Sequence, residues 1–534
     1  MYCNKENVNI LTALLVAHGV RRAVVCPGSR NAPIVHNLHE CGDIVCTPVT
    51  DERSAGFYAL GMALYVREPV VVCVTSGTAL LNLMPAVAEA FYQHVPLVVI
   101  SADRPPQWIG QQDGQTIPQP DALGRFVKKA VMLPETHDKE TRWYCNRLVN
   151  EAILATRKHG GGPVHINVPI SEPLYEFTVA PLPEERKIWS CFSRELNKEN
   201  EDELRSRLNK AQRPLIVMGQ MEMANMTMLG ATTMSGRGFV LCEPLSQENS
   251  CGLDELMEAV GDDERFVPDF VLYTGGHIVS KRLKKFLRGL DDVEMWQVSI
   301  DGELNDTYMH VSYVMEGDLT TSPDLFKNPD GSEGEYYRLW ANAYEWVKRQ
   351  LCETPLTYSA EAVVRHFEQR FEPLDCFALR HYANSTAIRL GCRYSREHIF
   401  CNRGVNGIEG TLSTAAGMSM VADDIVDMVV CVVGDLSFFY DQNALWNENL
   451  RGNLRVLLLN DGGGTIFNRF DGLRQSAAHD MITGVHHTHA EGICRQNNVG
   501  YRSACDMKTA EEGIEWLLRS HSDTPLVLEV YFNS

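Results

Sequence analysis

Short apolar runs alternate with longer segments of helical spacing through the first third of the chain. The predicted strands are Arg22–Cys26, Val70–Thr75 and Pro96–Ser101, and the predicted helices are Val8–Gly19, Ser54–Tyr65 and Ala79–Phe91. The run from Val70 to Val74 is apolar at every position, which is typical of a strand that is buried on both faces. Such strands, separated by helices, predict a parallel sheet.

The same alternation returns twice later in the chain. Further strands are predicted at Pro214–Gly219 and Phe270–Thr274 in the middle, and at Val426–Val433, Leu454–Leu459 and Pro525–Tyr531 in the last third. The polar and proline-containing stretches Pro181–Leu196 and Cys352–Thr357 are predicted linkers. The expected fold class is therefore α/β, with three parallel-sheet domains at residues 1–180, 197–351 and 358–534.

Composition and charge exclude two classes of partner. The 534 residues include 49 Lys and Arg against 69 Asp and Glu, a formal net charge of −20. Nucleic acid and anionic membrane surfaces favour positive charge, so neither is expected as a partner. The longest apolar runs, Val70–Val74 and Val429–Val433, are too short to cross a bilayer. Because the N-terminus lacks the charged-then-apolar pattern of a signal peptide, we expect a soluble cytoplasmic protein.

Neither the cysteines nor a histidine cluster predicts a metal site or a disulfide framework. The 16 cysteines are scattered and form no C-x-x-C motif, so most are expected to be reduced core or surface residues. The cluster from His486 to His489 has a nearby carboxylate only at Glu491. We therefore expect a solvated loop there, and metal retained after dialysis would indicate otherwise.

Two polar turns follow predicted strands in the last third. Gly434-Asp435-Leu436-Ser437 precedes a predicted helix at Phe438–Glu448, and Asn460-Asp461-Gly462-Gly463-Gly464 follows the next strand. The carboxyl ends of parallel strands meet at one edge of a sheet, where ligands bind and where a helix N-terminus would face an anion. Asp435, Asn460 and a carbonyl of the glycine turn would supply oxygen ligands that suit Mg²⁺. Taken singly, each turn could equally be an ordinary loop or helix cap.

The pairing of these turns resembles the diphosphate-and-magnesium motif of thiamine-diphosphate enzymes, G-D-G followed after a spacer by N-N. Asp435 and Asp461 lie 461 − 435 = 26 positions apart. Leu436 stands at the third position and Asp461 stands where the second asparagine would be. The motif is therefore a variant that needs a second anchor.

That second anchor is Glu52, in the segment Thr50-Asp51-Glu52-Arg53 that opens a predicted helix. Thiamine-diphosphate enzymes need one glutamate against N1′ of the aminopyrimidine, where its proton promotes the imino tautomer that deprotonates C2. The small neighbours Ala55 and Gly56 leave room for such a pocket. The alternative is an acidic helix N-terminus that complements the helix dipole.

Motifs from all three thirds are similar to one family in particular. They are Pro27-Gly28-Ser29-Arg30-Asn31-Ala32-Pro33, Asp51-Glu52-Arg53, Thr75-Ser76-Gly77-Thr78-Ala79, Ser101-Ala102-Asp103-Arg104-Pro105-Pro106, Ser280-Lys281-Arg282-Leu283, Asn402-Arg403-Gly404-Val405-Asn406-Gly407-Ile408-Glu409-Gly410 and Gly434-Asp435-Leu436-Ser437. The chain thereby resembles the 2-succinyl-5-enolpyruvyl-6-hydroxy-3-cyclohexene-1-carboxylate synthases, in which the leucine of Gly-Asp-Leu-Ser is a family trait. The resemblance implies the thiamine-diphosphate-enzyme fold, with pyrimidine-binding, middle and diphosphate-binding domains.

The resemblance also implies a reaction in menaquinone synthesis. The family decarboxylates 2-oxoglutarate and adds the succinyl-semialdehyde carbanion to isochorismate by a 1,4-addition. Because both substrates are dicarboxylates, the pocket is expected to gather cations. The substrate-binding residues implied are Ser29, Arg30, Arg104, Gln115, Lys281, Arg282, Asn384, Ser385, Arg389, Arg403 and Phe467.

For the cofactor, the resemblance implies Glu52 as the catalytic residue. The residues expected to bind thiamine diphosphate with it are Ser76, Gly77, Asn82, Gly407, Ile408, Gly434, Asp435, Leu436, Ser437, Asn460, Gly462 and Ile466. Ile408 would be the apolar wedge that bends the cofactor. Asp435, Asn460 and Gly462 would hold Mg²⁺ or Mn²⁺.

In this enzyme class the glutamate and the metal motif meet across two subunits, so we expect a homodimer or homotetramer with the active site between subunits. One alternative is another thiamine-diphosphate 2-oxoacid decarboxylase or an acetolactate-type synthase. The set of arginines argues against it, as does the lack of a G-x-G-x-x-G flavin fingerprint in the middle domain. A further alternative is a binding protein with the same fold and no catalytic activity. The presence of Glu52, Asp435 and Asn460 argues against it.

Overall fold

The computed structural model describes residues 1–222, 238–326, 333–371, 376–422, 425–469 and 471–532. Within these residues the strands form three separate sheets, and every strand pair in them is parallel. This arrangement confirms the predicted α/β class with three parallel-sheet domains. Each sheet lies inside one of the segments 1–180, 197–351 and 358–534, whose boundaries remain predictions.

The first sheet has the strand order β2-β1-β3-β4-β6-β5. Its strands are β1 Arg22–Val25, β2 Val45–Pro48, β3 Val70–Val74, β4 Leu97–Asp103, β5 Lys129–Met132 and β6 Val164–Pro169. Its helices are α1 Glu6–Ala17, α2 Ala32–Glu40, α3 Glu52–Val66, α4 Thr78–Asn82, α5 Met84–Tyr92 and α6 Lys139–Ala155. Strands β3, β4 and β6 are buried along their whole length, as expected for a sheet that is covered by helices on both faces.

The middle sheet has the order β11-β10-β9-β7-β8. Its strands are β7 Pro214–Met218, β8 Phe239–Cys242, β9 Phe270–Thr274, β10 Glu294–Ser299 and β11 Val311–Glu316. Its helices are α7 Lys198–Lys210, α8 Leu253–Val260, α9 Lys281–Arg288 and α10 Glu335–Glu353. Ser280 is the N-cap residue of α9, and its side-chain oxygen accepts a hydrogen bond from the Leu283 N–H. This cap fixes the start of the helix, and with it the positions of Lys281 and Arg282 in its first turn.

The third sheet has the order β13-β12-β14-β15-β17-β16. Its strands are β12 Ala378–Tyr382, β13 Ile399–Phe400, β14 Met428–Gly434, β15 Leu454–Asn460, β16 Gly500–Ala504 and β17 Leu526–Tyr531. Its helices are α11 Ala360–Phe371, α12 Thr386–Tyr394, α13 Thr411–Val421, α14 Asp435–Tyr440, α15 Asp471–Arg474, α16 His479–Thr483, α17 Glu491–Gln496 and α18 Met507–Arg519. Strands β14 and β15 are neighbours, with Gly434 paired to Leu459.

Two predicted helices differ from those observed. The segment Ala79–Phe91 is two helices, α4 and α5, because Pro85 has no N–H to continue the first and instead stands in the opening turn of the second. The helix predicted at Phe438–Glu448 begins earlier, at Asp435, and ends at Tyr440. The buried Asp441 follows it and accepts the Ser413 N–H, which draws the chain away from the helix axis.

The first and third domains share one hydrophobic core, centred on the crossing of α3 and α13. At that crossing two backbones touch. A Cβ on Gly61 would lie 2.0 Å from the Thr414 carbonyl oxygen, and one on Gly417 would lie 2.1 Å from the Tyr58 carbonyl oxygen. The two glycines therefore set how closely these helices approach. Across the described ranges, the model contains no helix with the length and apolarity that a membrane span needs.

Candidate active site

Asp435 and Asn460 converge on the glycine turn that follows β15. The Gly463 N–H donates to Asp435 Oδ2 at 2.9 Å, and the Gly462 N–H donates to Asn460 Oδ1 at 3.1 Å. Two successive amides of one turn thus hold the two side chains, as the prediction of a shared sheet edge requires. Asn460 is oriented further by its Nδ2, which donates to the Thr488 carbonyl and to Glu529.

Three oxygen atoms at this edge of the third sheet fit a hard divalent cation. They are a carboxylate, an amide oxygen and the backbone carbonyl of Gly462, and Mg²⁺ prefers oxygen ligands of these kinds. Gly462 adopts φ +76°, which a residue with a side chain rarely adopts. Asp435 is 3% exposed, so its carboxylate has little water to solvate it. A buried carboxylate that faces oxygen donors is the arrangement that a cation would stabilise.

The loop at residues 402–410 is hydrogen-bonded to the turn that follows β14. The Ser437 hydroxyl donates to the Ile408 carbonyl oxygen, so the turn after β14 and the loop that carries Ile408 share a hydrogen bond. The Ile408 side chain is 43% exposed, as an apolar wedge beneath a cofactor would be before the cofactor binds. Leu436, the variant position of the motif, packs beside Gly484.

Asn384 organises the loop rather than presenting a free amide. Its Nδ2 donates to the carbonyl oxygens of Asn402 and Gly407, both at 2.7 Å, while its Oδ1 accepts from Arg403 Nη1 at 3.0 Å. Ser385, the next residue, is exposed and has φ +73°. Asn384 therefore fixes the loop, and Ser385 is the better placed of the pair to meet a ligand.

Glu52 lies at the first position of α3. The preceding residue, Asp51, caps the helix by accepting the Ser54 N–H at 3.1 Å. Asn82 Nδ2 donates to Glu52 Oε2 at 3.2 Å, which joins two of the predicted cofactor residues. Glu52 is half-buried.

Ser76 and Gly77 lie where β3 ends. The Ser76 carbonyl accepts from Gln115 Nε2 at 3.2 Å, and the Gly77 N–H donates to the buried Gln119 at 2.7 Å. Gly77 has φ +88°, and a Cβ there would lie 3.3 Å from the Gln115 carbonyl oxygen. Gln115, predicted from the resemblance, therefore belongs to the same turn.

The six predicted cations differ in how far the protein itself neutralises them. Arg30 is 5% exposed and pairs with Glu172 at 2.9 Å. Arg104 pairs with Asp113 at 2.9 Å, and Arg282 is held by Asp254 and Glu258. Three of the arginines expected to bind substrate are thus already paired with carboxylates in this chain.

The remaining predicted substrate residues differ in how far they are exposed. Lys281 and Ser29 are exposed, while Arg389 is half-buried. Ile466 and Phe467 follow the glycine turn and are half-buried. Arg403 has a buried Nε with no hydrogen-bond partner among the described residues.

His486 is a site residue that the sequence argument placed wrongly. Its Nε2 lies 3.3 Å from Asp435 Oδ2, and its ring packs edge-on against Phe439. The expectation of a solvated loop is therefore wrong for His486, although His487 and His489 are exposed. The His486 N–H donates to the Gly462 carbonyl at 3.0 Å, which brings the loop back onto the glycine turn. No local pattern signals a contact made across that distance along the chain.

Two buried glutamates near Arg403 were also missed. Glu89 accepts the N–H groups of Gly404 and Val405 at 2.6 and 2.7 Å, and Glu243 accepts those of Val279 and Ser280 at 2.7 and 2.8 Å. Burial raises the pKa of Glu89, and it raises the pKa of Glu243 to about 6. Each fixes a loop that carries predicted substrate cations.

Lys284 adds a further cation close to Arg403. Burial lowers the pKa of this lysine, and the positive charge of Arg403 lowers it further, against the opposing effect of Glu243. Its position on α9, one turn after Lys281, was available in the sequence. A motif centred on Lys281 and Arg282 gave no reason to choose it.

Comparisons with known proteins agree with this geometry. Residues 6–123 match the family model described as "Thiamine pyrophosphate enzyme, N-terminal TPP binding domain". The chain is 44% identical to the 2-succinyl-5-enolpyruvyl-6-hydroxy-3-cyclohexene-1-carboxylate synthases of Bacteroides thetaiotaomicron and Bacteroides fragilis, over 100% of this chain and 97% of each relative. It is 34% identical to the synthase of that name from Cytophaga hutchinsonii, over 86% of this chain and 84% of the relative. With the Glu52 helix and the Asp435 turn both in place, the chain belongs to the 2-succinyl-5-enolpyruvyl-6-hydroxy-3-cyclohexene-1-carboxylate synthase family of thiamine-diphosphate enzymes.

Proposed function

We propose that this protein decarboxylates 2-oxoglutarate and joins the remaining four-carbon unit to isochorismate, as a cytoplasmic enzyme of menaquinone biosynthesis. The observation that carries the proposal is the full-length similarity to synthases of that name. The products would be 2-succinyl-5-enolpyruvyl-6-hydroxy-3-cyclohexene-1-carboxylate and CO₂. Bound thiamine diphosphate would supply the carbon nucleophile that attacks the 2-oxo acid.

Glu52 would hold a proton at the aminopyrimidine N1′. Its place at the start of α3 and its bond from Asn82 orient the carboxyl group without satisfying both oxygens. Ser76 and Gly77, at the end of β3, would lie beside the same ring. General acid–base catalysis by a group positioned in this way contributes about 10²–10⁴-fold in rate.

Asp435, Asn460 and the Gly462 carbonyl would hold Mg²⁺ or Mn²⁺ against the cofactor diphosphate. Support comes from the three oxygen donors at one turn and from the burial of Asp435. Gly434, Leu436 and Ser437 flank Asp435 in the turn after β14. The Ser437–Ile408 hydrogen bond would keep the Ile408 wedge beside that turn.

Arg403 would bind a substrate carboxylate through its Nε, which has no hydrogen-bond partner among the described residues. Lys281, Arg389 and Ser385 would bind substrate with it. A hydrogen bond to a charged group contributes about 1.5–3 kcal/mol. The paired arginines Arg30, Arg104 and Arg282 would have to exchange a protein carboxylate for a substrate carboxylate. That exchange favours dicarboxylic substrates, which offer two such groups.

A homodimer or homotetramer with active sites between subunits completes the proposal. Apolar side chains are exposed beside both halves of the site. Leu81 is 42% exposed next to Asn82, and Val405 is 48% exposed in the loop at residues 402–410. A second copy of the chain would cover such surfaces.

The test is a turnover assay on the purified holoenzyme with thiamine diphosphate and Mg²⁺. We expect loss of isochorismate together with CO₂ release when 2-oxoglutarate is present, and neither when pyruvate replaces it. CO₂ release without loss of isochorismate would transfer the function to a decarboxylase or to another acceptor. Turnover of pyruvate would favour the acetolactate-type alternative.

A further inference from the structure

A cavity of about 300 Å³ lies at the end of the third sheet opposite the proposed active site. Strand β12 places its amino end, Ala378, in the cavity wall, whereas Asn384 and Ser385 follow its carboxyl end. Helix α10 of the middle domain contributes Lys348 and Leu351 to the other wall. The cavity is therefore separate from the residues assigned to cofactor and substrate.

Arg380, in the middle of β12, is the buried charge of this cavity. It is 5% exposed, and its guanidinium lies over the Phe371 ring at 4.2 Å from the centroid. Its Nε and Nη1 have no hydrogen-bond partner in the part of the chain that the structure describes. Arg380 forms a buried ion pair with Glu368, whose Oε2 lies 3.7 Å from Nη1, but that distance is too long for a hydrogen bond. A buried charged donor without a partner costs about 1–3 kcal/mol or more unless a ligand or water satisfies it.

The rest of the lining favours an anion over water alone. Among the described residues it holds five cationic side chains and two carboxylates, those of Glu368 and Glu397. The other cations are Lys348, Arg365, Arg393 and Arg396. Some of their charge is met outside the cavity, since Lys348 pairs with Glu345, and Arg393 pairs with Glu361 and Glu255. Over the described lining residues, five positive and two negative side chains leave a formal charge of 5 − 2 = +3.

Apolar groups complete the wall. Leu351, Phe371 and Phe377 line the same space as the arginines. A cavity with an apolar wall and a few convergent charged groups is the common form of a small-molecule site, and 300 Å³ is about the lower limit for one.

We propose that this cavity binds a small organic anion, with its carboxylate or phosphate at Arg380 and its apolar body against Leu351, Phe371 and Phe377. The site is independent of the proposed reaction. It lies where α10 of the middle domain meets α11 and α12 of the third domain, so that occupancy would bridge these two domains.

Cys352 gives a readout of occupancy that does not depend on turnover. Its thiol is exposed, lines the cavity and accepts a weak hydrogen bond from Arg396 at 3.9 Å. The holoenzyme, saturated with thiamine diphosphate and Mg²⁺, is alkylated with iodoacetamide at constant ionic strength, and each cysteine is followed by peptide mass spectrometry. Cys191 and Cys505 are exposed thiols outside the cavity lining and serve as internal controls.

Four probes separate the head group from the apolar body: acetate, benzoate, inorganic phosphate and phenyl phosphate. We expect benzoate or phenyl phosphate to slow alkylation of Cys352, at lower concentration than acetate or inorganic phosphate, and to leave Cys191 and Cys505 unchanged. Which of the two phenyl compounds protects at lower concentration identifies the head group. Protection by the inorganic or short-chain anions at the same concentration as by their phenyl counterparts would overturn the organic class and leave an adventitious ion only.

Variants place the effect at this cavity. Arg380→Gln is expected to raise the half-protecting concentration about tenfold or more, and Lys348→Gln is expected to raise it by a smaller factor. Arg349→Gln, an exposed arginine one position along the same helix, should leave it unchanged. If Arg380→Gln does not fold, Lys348→Gln decides. An unchanged half-protecting concentration in Lys348→Gln overturns the proposal. So does the absence of protection of the wild-type enzyme by any of the four probes.

Discussion

Arg403 differs from the other arginines of the site because its own chain does not fully satisfy it. One nitrogen donates to Asn384, while its buried Nε has no partner in the described residues. Arg30, Arg104 and Arg282 each face a carboxylate of the same chain. If these residues bind substrate as proposed, Arg403 would offer a donor that is already open, whereas Arg30, Arg104 and Arg282 would have to exchange partners.

Replacing Arg403 should affect substrate binding before it affects folding. We expect Arg403→Gln to raise KM for 2-oxoglutarate or isochorismate by about 10–100-fold, because one charge-assisted hydrogen bond is lost. Steady-state kinetics with each substrate varied in turn measures the effect. Arg451→Gln, at an exposed position, is the control. An unchanged KM for both substrates in Arg403→Gln would remove this arginine from the pocket.

The residues of the site were predictable to different degrees. Asp435, Asn460 and Gly462 follow strands that are readable from the sequence, so that their convergence could be expected. His486 and Glu89 could not be found in the same way. The contact between Glu89 and the Gly404 N–H spans 315 positions, and no periodicity of either segment indicates the other.

Helix α5 positions the loop at residues 402–410 through one carboxylate. Glu89 is 3% exposed, and its two oxygens take the N–H groups of Gly404 and Val405. Those amides flank Arg403 on its C-terminal side, and Ile408 follows within the same loop. Helix α5 of the first domain is thereby joined to the loop that carries Arg403 and Ile408.

We expect Glu89→Gln to lower kcat/KM by about tenfold or more, because an amide NH₂ would replace one acceptor that two backbone N–H groups need. The fold should persist, since the substitution preserves size. Kinetics together with far-ultraviolet circular dichroism separates the two effects, and Glu140→Gln, at an exposed position on α6, is the matched control. Wild-type kcat/KM in Glu89→Gln would show that the loop needs no such anchor.

The crossing of α3 and α13 predicts a stability effect. Gly61→Ala would place a methyl group 2.0 Å from the Thr414 carbonyl oxygen, and we expect the free energy of unfolding to fall by about 3 kcal/mol. Gly492→Ala, where a Cβ meets nothing within 4 Å, should be neutral or slightly stabilising, because alanine favours helix. Urea unfolding of both variants measures this. Equal midpoints for the two would contradict the close helix contact.

Asp441 is a buried carboxylate of the third domain that lies beside the junction with α3 of the first domain. It is buried, accepts the N–H and hydroxyl of Ser413, and lies in the field of Arg53 at the start of α3. Tyr58 of α3 donates to the Ala444 carbonyl just beyond it. Burial raises the pKa of Asp441 from 3.8 to about 7.

This raised pKa predicts the sign of a pH effect. Between its unfolded pKa of 3.8 and its folded pKa of about 7, the unfolded chain binds fewer protons than the folded one. The contribution of Asp441 to the free energy of unfolding therefore falls as pH rises through that window. Asp441→Asn does not ionise, so the stability advantage of the wild type over this variant should shrink from about pH 5 to about pH 8.

Thermal unfolding of both proteins across that range measures the difference. The control is Asp506→Asn, since Asp506 caps α18 and its backbone hydrogen bond from Thr509 lowers its pKa. The contribution of Asp506 to the free energy of unfolding should be constant from about pH 5 to about pH 8. A wild-type advantage over Asp441→Asn that grows with pH would contradict the assignment.

The architecture of the whole molecule followed from local patterns, whereas its assembly from domains did not. Strands β3, β14 and β15 are apolar enough to be read directly, and their alternation with helices specifies three parallel sheets. The packing of α3 on α13 depends on Gly61 and Gly417, which a sequence alone offers only as small residues within helices. The end of α14 at Tyr440 depends on a tertiary bond from Ser413 to Asp441, so that end could not be set locally.

The role of Glu52 is tested most directly by exchange of the C2 proton of bound thiamine diphosphate in deuterated water, followed by rapid quenching and nuclear magnetic resonance. We expect fast exchange in the wild-type holoenzyme and exchange slower by about 100-fold or more in Glu52→Gln, because the role proposed for Glu52 is acid–base catalysis at the aminopyrimidine. Glu68→Gln, an exposed glutamate just beyond the same helix, should exchange as the wild type does. Wild-type exchange in a Glu52→Gln enzyme that still binds the cofactor would contradict the role of Glu52.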